Sequence, residues 1–250
     1  MDPVTARIGI ASFTVRDECA RDLEGTLQAL AEMGYEGVEL FDLQGYAPER
    51  VRAASEAAGL VLCGRHVSFA VLEDELPAVA RDAEILGTSR IVLGWIEPPN
   101  SERQARAVIG RLVRAADEAA ALGLELGFHN HDGEFRMLDG GVRFVDLVLE
   151  QPALFLELDL GWAWWAGADP LEVLAWASSR APLVHVKDFC TRGERSFCPV
   201  GDGGVGYERV APAAVAAGAE WLLVEQDETD GSALDAVRRS YSALRAMLSP

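Results

Sequence analysis

The sequence has little with which to hold a polyanion. Of its 250 residues, 22 are Lys or Arg and 40 are Asp or Glu, giving a formal net charge of -18. Such a surface repels phosphate backbones and anionic lipid, which argues against nucleic acid or a charged membrane as partner. Cysteine is scarce as well. Cys19, Cys63, Cys190 and Cys198 make no CxxC pair and no metal-knuckle spacing, so no disulfide framework is expected and free thiols in a reducing cytoplasm are the simplest expectation. No apolar run approaches the roughly 20 residues that cross a bilayer, and the first residues lead into a strand-like segment with no charged-then-apolar leader. A phosphate-binding glycine loop after an early strand is missing too. The one glycine cluster, Gly201-Asp-Gly-Gly-Val-Gly206, comes late and lacks the lysine of a P-loop, so it is read as a flexible loop.

What is present is a regular alternation. Short runs rich in Val, Ile, Leu and Phe occupy 7–12, 37–42, 61–66, 90–95, 124–129, 154–159, 183–188 and 221–226. Several are apolar almost throughout, as parallel strands buried on both faces are. Helix-like stretches separate them. Residues 22–33 repeat Leu23, Leu27, Leu30 and Met33 and stop at Gly34, a good residue just past a helix end. Residues 101–122 form the longest stretch, 170–178 begins with an Asp-Pro start signal, and 232–248 closes the chain. No linker divides residues 1–250, and their length suits one barrel. The expected architecture is therefore a single α/β domain, a (β/α)8 TIM barrel, with a doubly wound open sheet as the rival that the missing glycine loop disfavours.

In such a barrel, chemistry sits where strands run into the following loops. All four histidines fall there: His66 ends the third run, His129 ends the fifth with His131 just beyond it, and His185 lies in the seventh. Acids accompany them, namely Glu134, Glu157 and Asp159, Asp188, and Glu225 with Asp227. Carboxylate oxygen and imidazole nitrogen are what Mn²⁺, Mg²⁺, Co²⁺ or Zn²⁺ take as ligands. Asp159, His185 and Glu225 come from neighbouring strands and can converge on one such ion. Glu157 shares a face with Asp159 one layer lower, where it would serve as a buried supporting acid. Asp42 and Asp227 are expected to be ordinary loop or capping charges.

These segments resemble the sugar phosphate isomerase/epimerase family, the xylose isomerase-like barrels. The resemblance runs over almost the whole chain, through Ser12-Phe-Thr-Val-Arg-Asp-Glu18, Met33-Gly-Tyr-Glu-Gly-Val-Glu-Leu40, Phe128-His-Asn-His-Asp-Gly-Glu-Phe135, Ala166-Gly-Ala-Asp-Pro170, His185-Val-Lys-Asp188 and Val200-Gly-Asp-Gly203. It implies a divalent metal held by an acid after strand five, an Asp on strand six, a His on strand seven and a Glu on strand eight. The last three match Asp159, His185 and Glu225. The strand-five acid has no clean match; Glu134 is the expected ligand, and His129 and His131 compete for that place. The histidine that epimerases carry three residues after the strand-six Asp is Trp162 here.

The resemblance further implies proton abstraction beside a sugar carbonyl, with a metal stabilising the enediolate. His129 or His131 is the expected base and Lys187 the expected partner of a substrate oxygen. His66, Trp95, Trp162 and Asp188 are expected to contact substrate. The partner is then a small sugar or sugar derivative, with neither nucleic acid nor membrane involved, and pairing of barrels into a homo-oligomer is open. No clear phosphate clamp is present; Arg136, Arg192 and Arg195 are candidates only by their place in loops at the mouth. Dehydration or lysis of a keto-sugar or keto-inositol is the alternative chemistry for the same site. An endonuclease IV-like phosphodiesterase is disfavoured by four histidines and the net charge of -18, and a non-catalytic sugar-binding barrel by the retained acids.

Overall fold

The computed structural model describes residues 6–177, 179–191 and 194–249. Ten strands lie among them: β1 Arg7–Ala11, β2 Gly37–Leu40, β3 Val61–Val67, β4 Arg90–Leu93, β5 Glu125–His129, β6 Phe155–Asp159, β7 Leu183–Val186, β8 Asp188–Thr191, β9 Glu194–Cys198 and β10 Trp221–Val224. Eight of them close into a parallel barrel in the order β1-β10-β7-β6-β5-β4-β3-β2. Each apolar run seen in the sequence supplies one barrel strand. The pair β8 and β9 is an antiparallel hairpin inserted after β7, which the run-and-helix pattern does not show.

Helices cover the barrel as the periodicity predicts. Leu23–Met33 is capped by the Asp22 side chain, which accepts from the Gly25 amide, and it ends on Gly34 at φ 109°. Glu102–Ala121 is capped by Ser101, and Ala233–Met247 by Ser232. These side-chain oxygens satisfy amides that a helix start leaves without partners.

Period two along the strands points alternate residues inward. At the N-terminal end of the barrel these are apolar: Cys63, Val92, Leu183, Trp221 and Leu223, with Phe155 packed against them. Glycine makes room for the largest of them, since a Cβ on Gly37 would lie 2.4 Å from the Trp221 ring and one on Gly127 would lie 2.3 Å from Phe155. With that end filled, the next inward positions toward the C-terminal ends carry the polar side chains. Among the described residues, no helix is long and apolar enough to cross a membrane.

Candidate active site

Two polar layers lie above the apolar plug. β7 continues from Leu183 to His185 and Lys187, β6 from Phe155 to Glu157 and Asp159, and β10 from Leu223 to Glu225. In register, Asp159 pairs with His185 and His129 with Glu157.

The lower layer joins acids and imidazoles. His185 Nε2 lies 2.7 Å from Glu39 Oε2 and 3.3 Å from Glu157 Oε1. His66 Nε2 lies 2.8 Å from Glu157 Oε2 and 3.2 Å from Glu39 Oε2, and His129 Nδ1 lies 3.0 Å from Glu157 Oε2. Burial works against a charged His66, but Glu39 and Glu157 outweigh it and push its pKa up to about 10. Burial and the neighbouring Glu39 hold the Glu157 carboxyl above its usual range. Glu157 is the buried acid of this layer, its carboxylate set against His66, His129 and His185. Glu39 is a site residue that the sequence reading missed; the signal available was a lone acid in an otherwise apolar strand.

The upper layer centres on Lys187, 1 % exposed. Its Nζ lies 2.7 Å from Asp227 Oδ1, 2.8 Å from Glu225 Oε2 and 3.2 Å from Asp159 Oδ2. Burial opposes the ammonium charge, but these three carboxylates outweigh it and hold the lysine protonated. Asp227 therefore belongs to the site and is not a plain loop charge, because its carboxylate completes the ring around the ammonium. Lys187 is itself pinned by Tyr207, whose hydroxyl donates to its carbonyl and accepts from its amide, each at 2.9 Å. His185 Nδ1 lies 2.8 Å from Glu225 Oε2, so one imidazole links the two layers.

The strand ends are fixed by backbone contacts. Asp159 caps the helix Leu160–Trp165 through Oδ1, which accepts from the Trp162 amide at 2.7 Å. Asn130 clamps the same residue: its Nδ2 donates to the Asp159 carbonyl at 3.0 Å and its Oδ1 accepts from the Asp159 amide at 3.1 Å. Asp159 Oδ2 is left buried, facing the Lys187 ammonium at 3.2 Å. Burial raises its pKa to about 6, against the pull of Lys187.

One donor atom each from His129, Asp159, His185 and Glu225 lies within 4.8 Å of the others. Imidazole and carboxylate donors in that spacing fit a divalent cation. Three carboxylates against one ammonium leave the layer electron-rich, which favours a second positive charge. His66, His129, Glu157 and His185 form a second such group, which shares His129 and His185 with the first.

Glu134 does not join the upper group, contrary to expectation. Its Oε2 accepts from the His131 amide at 2.9 Å, and the short 3-10 turn Gly133–Phe135 keeps it on that loop. The fourth donor of that group is His129, the last residue of β5. Asp188 is also misjudged as a substrate contact. Its carboxylate accepts from the amides of Gly201, Gly203 and Val205 at 2.9, 3.1 and 3.2 Å, as well as from its own neighbour Phe189 at 3.1 Å. Those bonds also pin the glycine cluster expected to be flexible. A Cβ on Gly203 would fall 2.1 Å from Asp188 Oδ1.

A cavity of about 650 Å³ opens onto these groups, lined at its floor by His66, His129, His131, Lys187, Glu225 and Asp227, and by Trp95 at the mouth. Trp95 is 60 % exposed. Trp162 is buried beneath the site, its ring 4.9 Å from Lys187 Nζ and 5.6 Å from His131, so it forms a wall behind these side chains. Burial pushes His131 down to about 3 and lowers His129 as well, leaving both imidazoles neutral. Arg136 donates to the Pro99 carbonyl and Asn100 Oδ1. Arg192 and the side chain of Arg195 lie outside the described residues.

A family model described as xylose isomerase-like TIM barrel matches residues 27–247. No curated protein matches the chain. Among solved structures, a sugar phosphate isomerase/epimerase from Parabacteroides distasonis superposes with a TM-score of 0.85 at 21% identity, covering 100% of this chain and 98% of that one. The probable 3-DHS dehydratase involved in petrobactin synthesis from Bacillus anthracis gives 0.75 at 16% identity, covering 96% and 99%. An L-ribulose 3-epimerase gives 0.73 at 18% identity, covering 98% and 95%. At these identities the likeness is one of fold.

Proposed function

Since the chain belongs to the xylose isomerase-like TIM barrel family, we propose that it is a metal-dependent sugar isomerase or epimerase acting by proton transfer beside a carbonyl. The observation that carries this reading is the convergence of His129, Asp159, His185 and Glu225 within 4.8 Å at the floor of the cavity. These four residues would hold the divalent ion, which when bound supplies Lewis-acid polarisation of a substrate carbonyl and its neighbouring hydroxyl.

The protein's own groups divide the remaining work. His131 lines the cavity and is the imidazole placed to take a proton from carbon and return it at a neighbouring carbon or face. His129, which the sequence left as a rival base, is assigned to the ligand set. Lys187 is held charged and faces the cavity, where its ammonium can donate to a substrate oxygen as negative charge develops. Tyr207 and Asn130 hold the backbone of Lys187 and Asp159 in place, which keeps both side chains preorganised.

The fold neighbour named as a dehydratase supports lysis as the second reading, since loss of a hydroxyl from the next carbon begins with the same proton removal. The test is incorporation of solvent deuterium into ketoses and aldoses incubated with the protein, with and without Mn²⁺. Metal-dependent exchange that disappears in His131→Gln is expected. Exchange that is indifferent to metal and to His131 would sink the proposal.

A further inference from the structure

Of the 22 Lys and Arg residues in the chain, Lys187 is the one lysine, and it is among the most deeply buried large side chains of the protein. An ammonium has as many N–H donors as Lys187 has carboxylate partners, which are Asp159, Glu225 and Asp227 at 3.2, 2.8 and 2.7 Å. In that arrangement no N–H is left for a substrate oxygen.

Two of the partners have a second claim on them. Asp159 and Glu225 belong, with His129 and His185, to the donors lying within 4.8 Å of one another, and Asp227 stands outside that group. Asp159 Oδ1 accepts from the Trp162 amide at 2.7 Å, which leaves Oδ2 to serve ammonium and ion alike. An ion on that oxygen lies about 2.0–2.2 Å from it, and Nζ lies 3.2 Å from the same atom. Two cations so placed in a buried layer repel strongly. The dication holds the shared carboxylates more firmly, because it also takes both imidazoles.

The backbone of Lys187 cannot give way. The Tyr207 hydroxyl bonds both its amide and its carbonyl, and a Cβ on Gly161 would lie 2.1 Å from that carbonyl oxygen. Relief has to come from the side chain, a flexible stem with rotatable donors that a planar guanidinium would not offer. The cavity that Lys187 lines gives the stem room to turn.

We infer that Lys187 changes partners when the ion binds: it gives up Asp159 and Glu225, keeps Asp227, and gains free N–H donors toward the cavity. Asp227 is then a positioning residue, whose carboxylate keeps the released ammonium at the site. This rests on the reading of Asp159 and Glu225 as metal ligands, and adds how metal and lysine come to act together.

The test uses the single lysine. Lysine labelled with ¹³C at Cε and ¹⁵N at Nζ gives one side-chain NMR signal from the full chain. Protein stripped with a chelator is titrated with Zn²⁺, which is diamagnetic, and metal occupancy is followed in parallel by calorimetry. The signal should move in step with occupancy. In the loaded protein the ammonium hydrogens should exchange with solvent about tenfold or more faster, as loss of charge-assisted hydrogen bonds implies. Asp227→Asn then separates the two states. Without metal, exchange should stay within about threefold of the parent, since two carboxylates still hold the ammonium; with Zn²⁺ it should rise about tenfold further. A lysine that is only a fixed counter-ion would respond to Asp227→Asn alike in both states, which would overturn the inference. Zn²⁺ binding that leaves ammonium exchange in the parent unchanged also overturns it, and leaves the ligand assignment standing. Absence of Zn²⁺ binding removes both.

Discussion

Glu39 Oε2 lies 2.7 Å from His185 Nε2, a contact between residues 146 positions apart in the chain. Their strands are not neighbours: β2 pairs with β1 and β3, and β7 with β6 and β10. The contact therefore crosses the barrel interior and holds the imidazole with Nδ1 toward Glu225. Partners of this kind orient a metal-ligating histidine and set its tautomer, and their loss typically weakens metal binding about 10–100-fold. Glu39→Ala should weaken Mn²⁺ binding by that order in a chelator competition assay, with Glu39→Gln, which keeps an oxygen acceptor, recovering part of it. Unchanged affinity in Glu39→Ala would remove the orienting role.

The ligand assignment separates His129 from Glu134. Protein purified without chelator should carry about one divalent ion per chain, as a single four-donor site predicts. Asp159→Asn, Glu225→Gln and His129→Gln should each lose most of it, while Glu134→Gln keeps it. Elemental analysis of the four variants decides the matter, and metal loss in Glu134→Gln alone would restore the expectation drawn from the sequence.

Lys187 neutralises a buried ring of acids. Removing one partner of a buried charge cluster costs roughly 3–5 kcal/mol, because the remaining charges are left without compensation. Lys187→Met should lower the stability of the metal-free protein by about that much in urea denaturation. Added Mn²⁺ should return part of the loss, since a dication can take over the neutralising role at Asp159 and Glu225. A variant as stable as the parent without metal would show that these carboxylates protonate at little cost.

Glu134 provides a pH test away from the ligands. Burial raises its pKa from 4.5 to about 7, so between those values the native protein keeps a proton that the unfolded chain releases. Stability then falls as pH rises through that window, by up to about 3 kcal/mol for this group. Glu134→Gln should flatten the profile between pH 4.5 and 7 while keeping an oxygen for the His131 amide. A parent-minus-variant difference that grows with pH in the opposite sense would show that the carboxyl is ionised in the fold.

Asp188 holds the glycine loop through three amide donors, those of Gly201, Gly203 and Val205. Asp188→Ala leaves those amides without their acceptor, at a cost of about 1–3 kcal/mol for buried donors. Hydrogen exchange at Gly201, Gly203 and Val205 should accelerate, with little change across β1 to β7. Unaltered protection at those amides would mean that the loop is held by other contacts.

Much of this was legible in the chain. Eight apolar runs became eight barrel strands because parallel strands buried on both faces need continuous apolar residues, and helix ends were marked by Asp22, Ser101, Ser232 and Gly34. Strand-end position and family resemblance also picked out Asp159, His185 and Glu225, since period two dictates which residues face inward. The β8–β9 hairpin was hidden inside the long connection after β7, where no apolar periodicity announced it.

The sequence alone therefore determined the barrel, its open end and the donor types gathered there, because alternation and burial are local properties of each strand. Tertiary structure decided who meets whom. Register placed His129 opposite Glu157, closure brought Glu39 across to His185, and the folded loop drew Asp227 onto Lys187 while turning Asp188 and Glu134 toward backbone amides. Those outcomes depend on where separate strands and loops come to rest, and a carboxylate's partner is whichever donor the fold brings within about 3 Å.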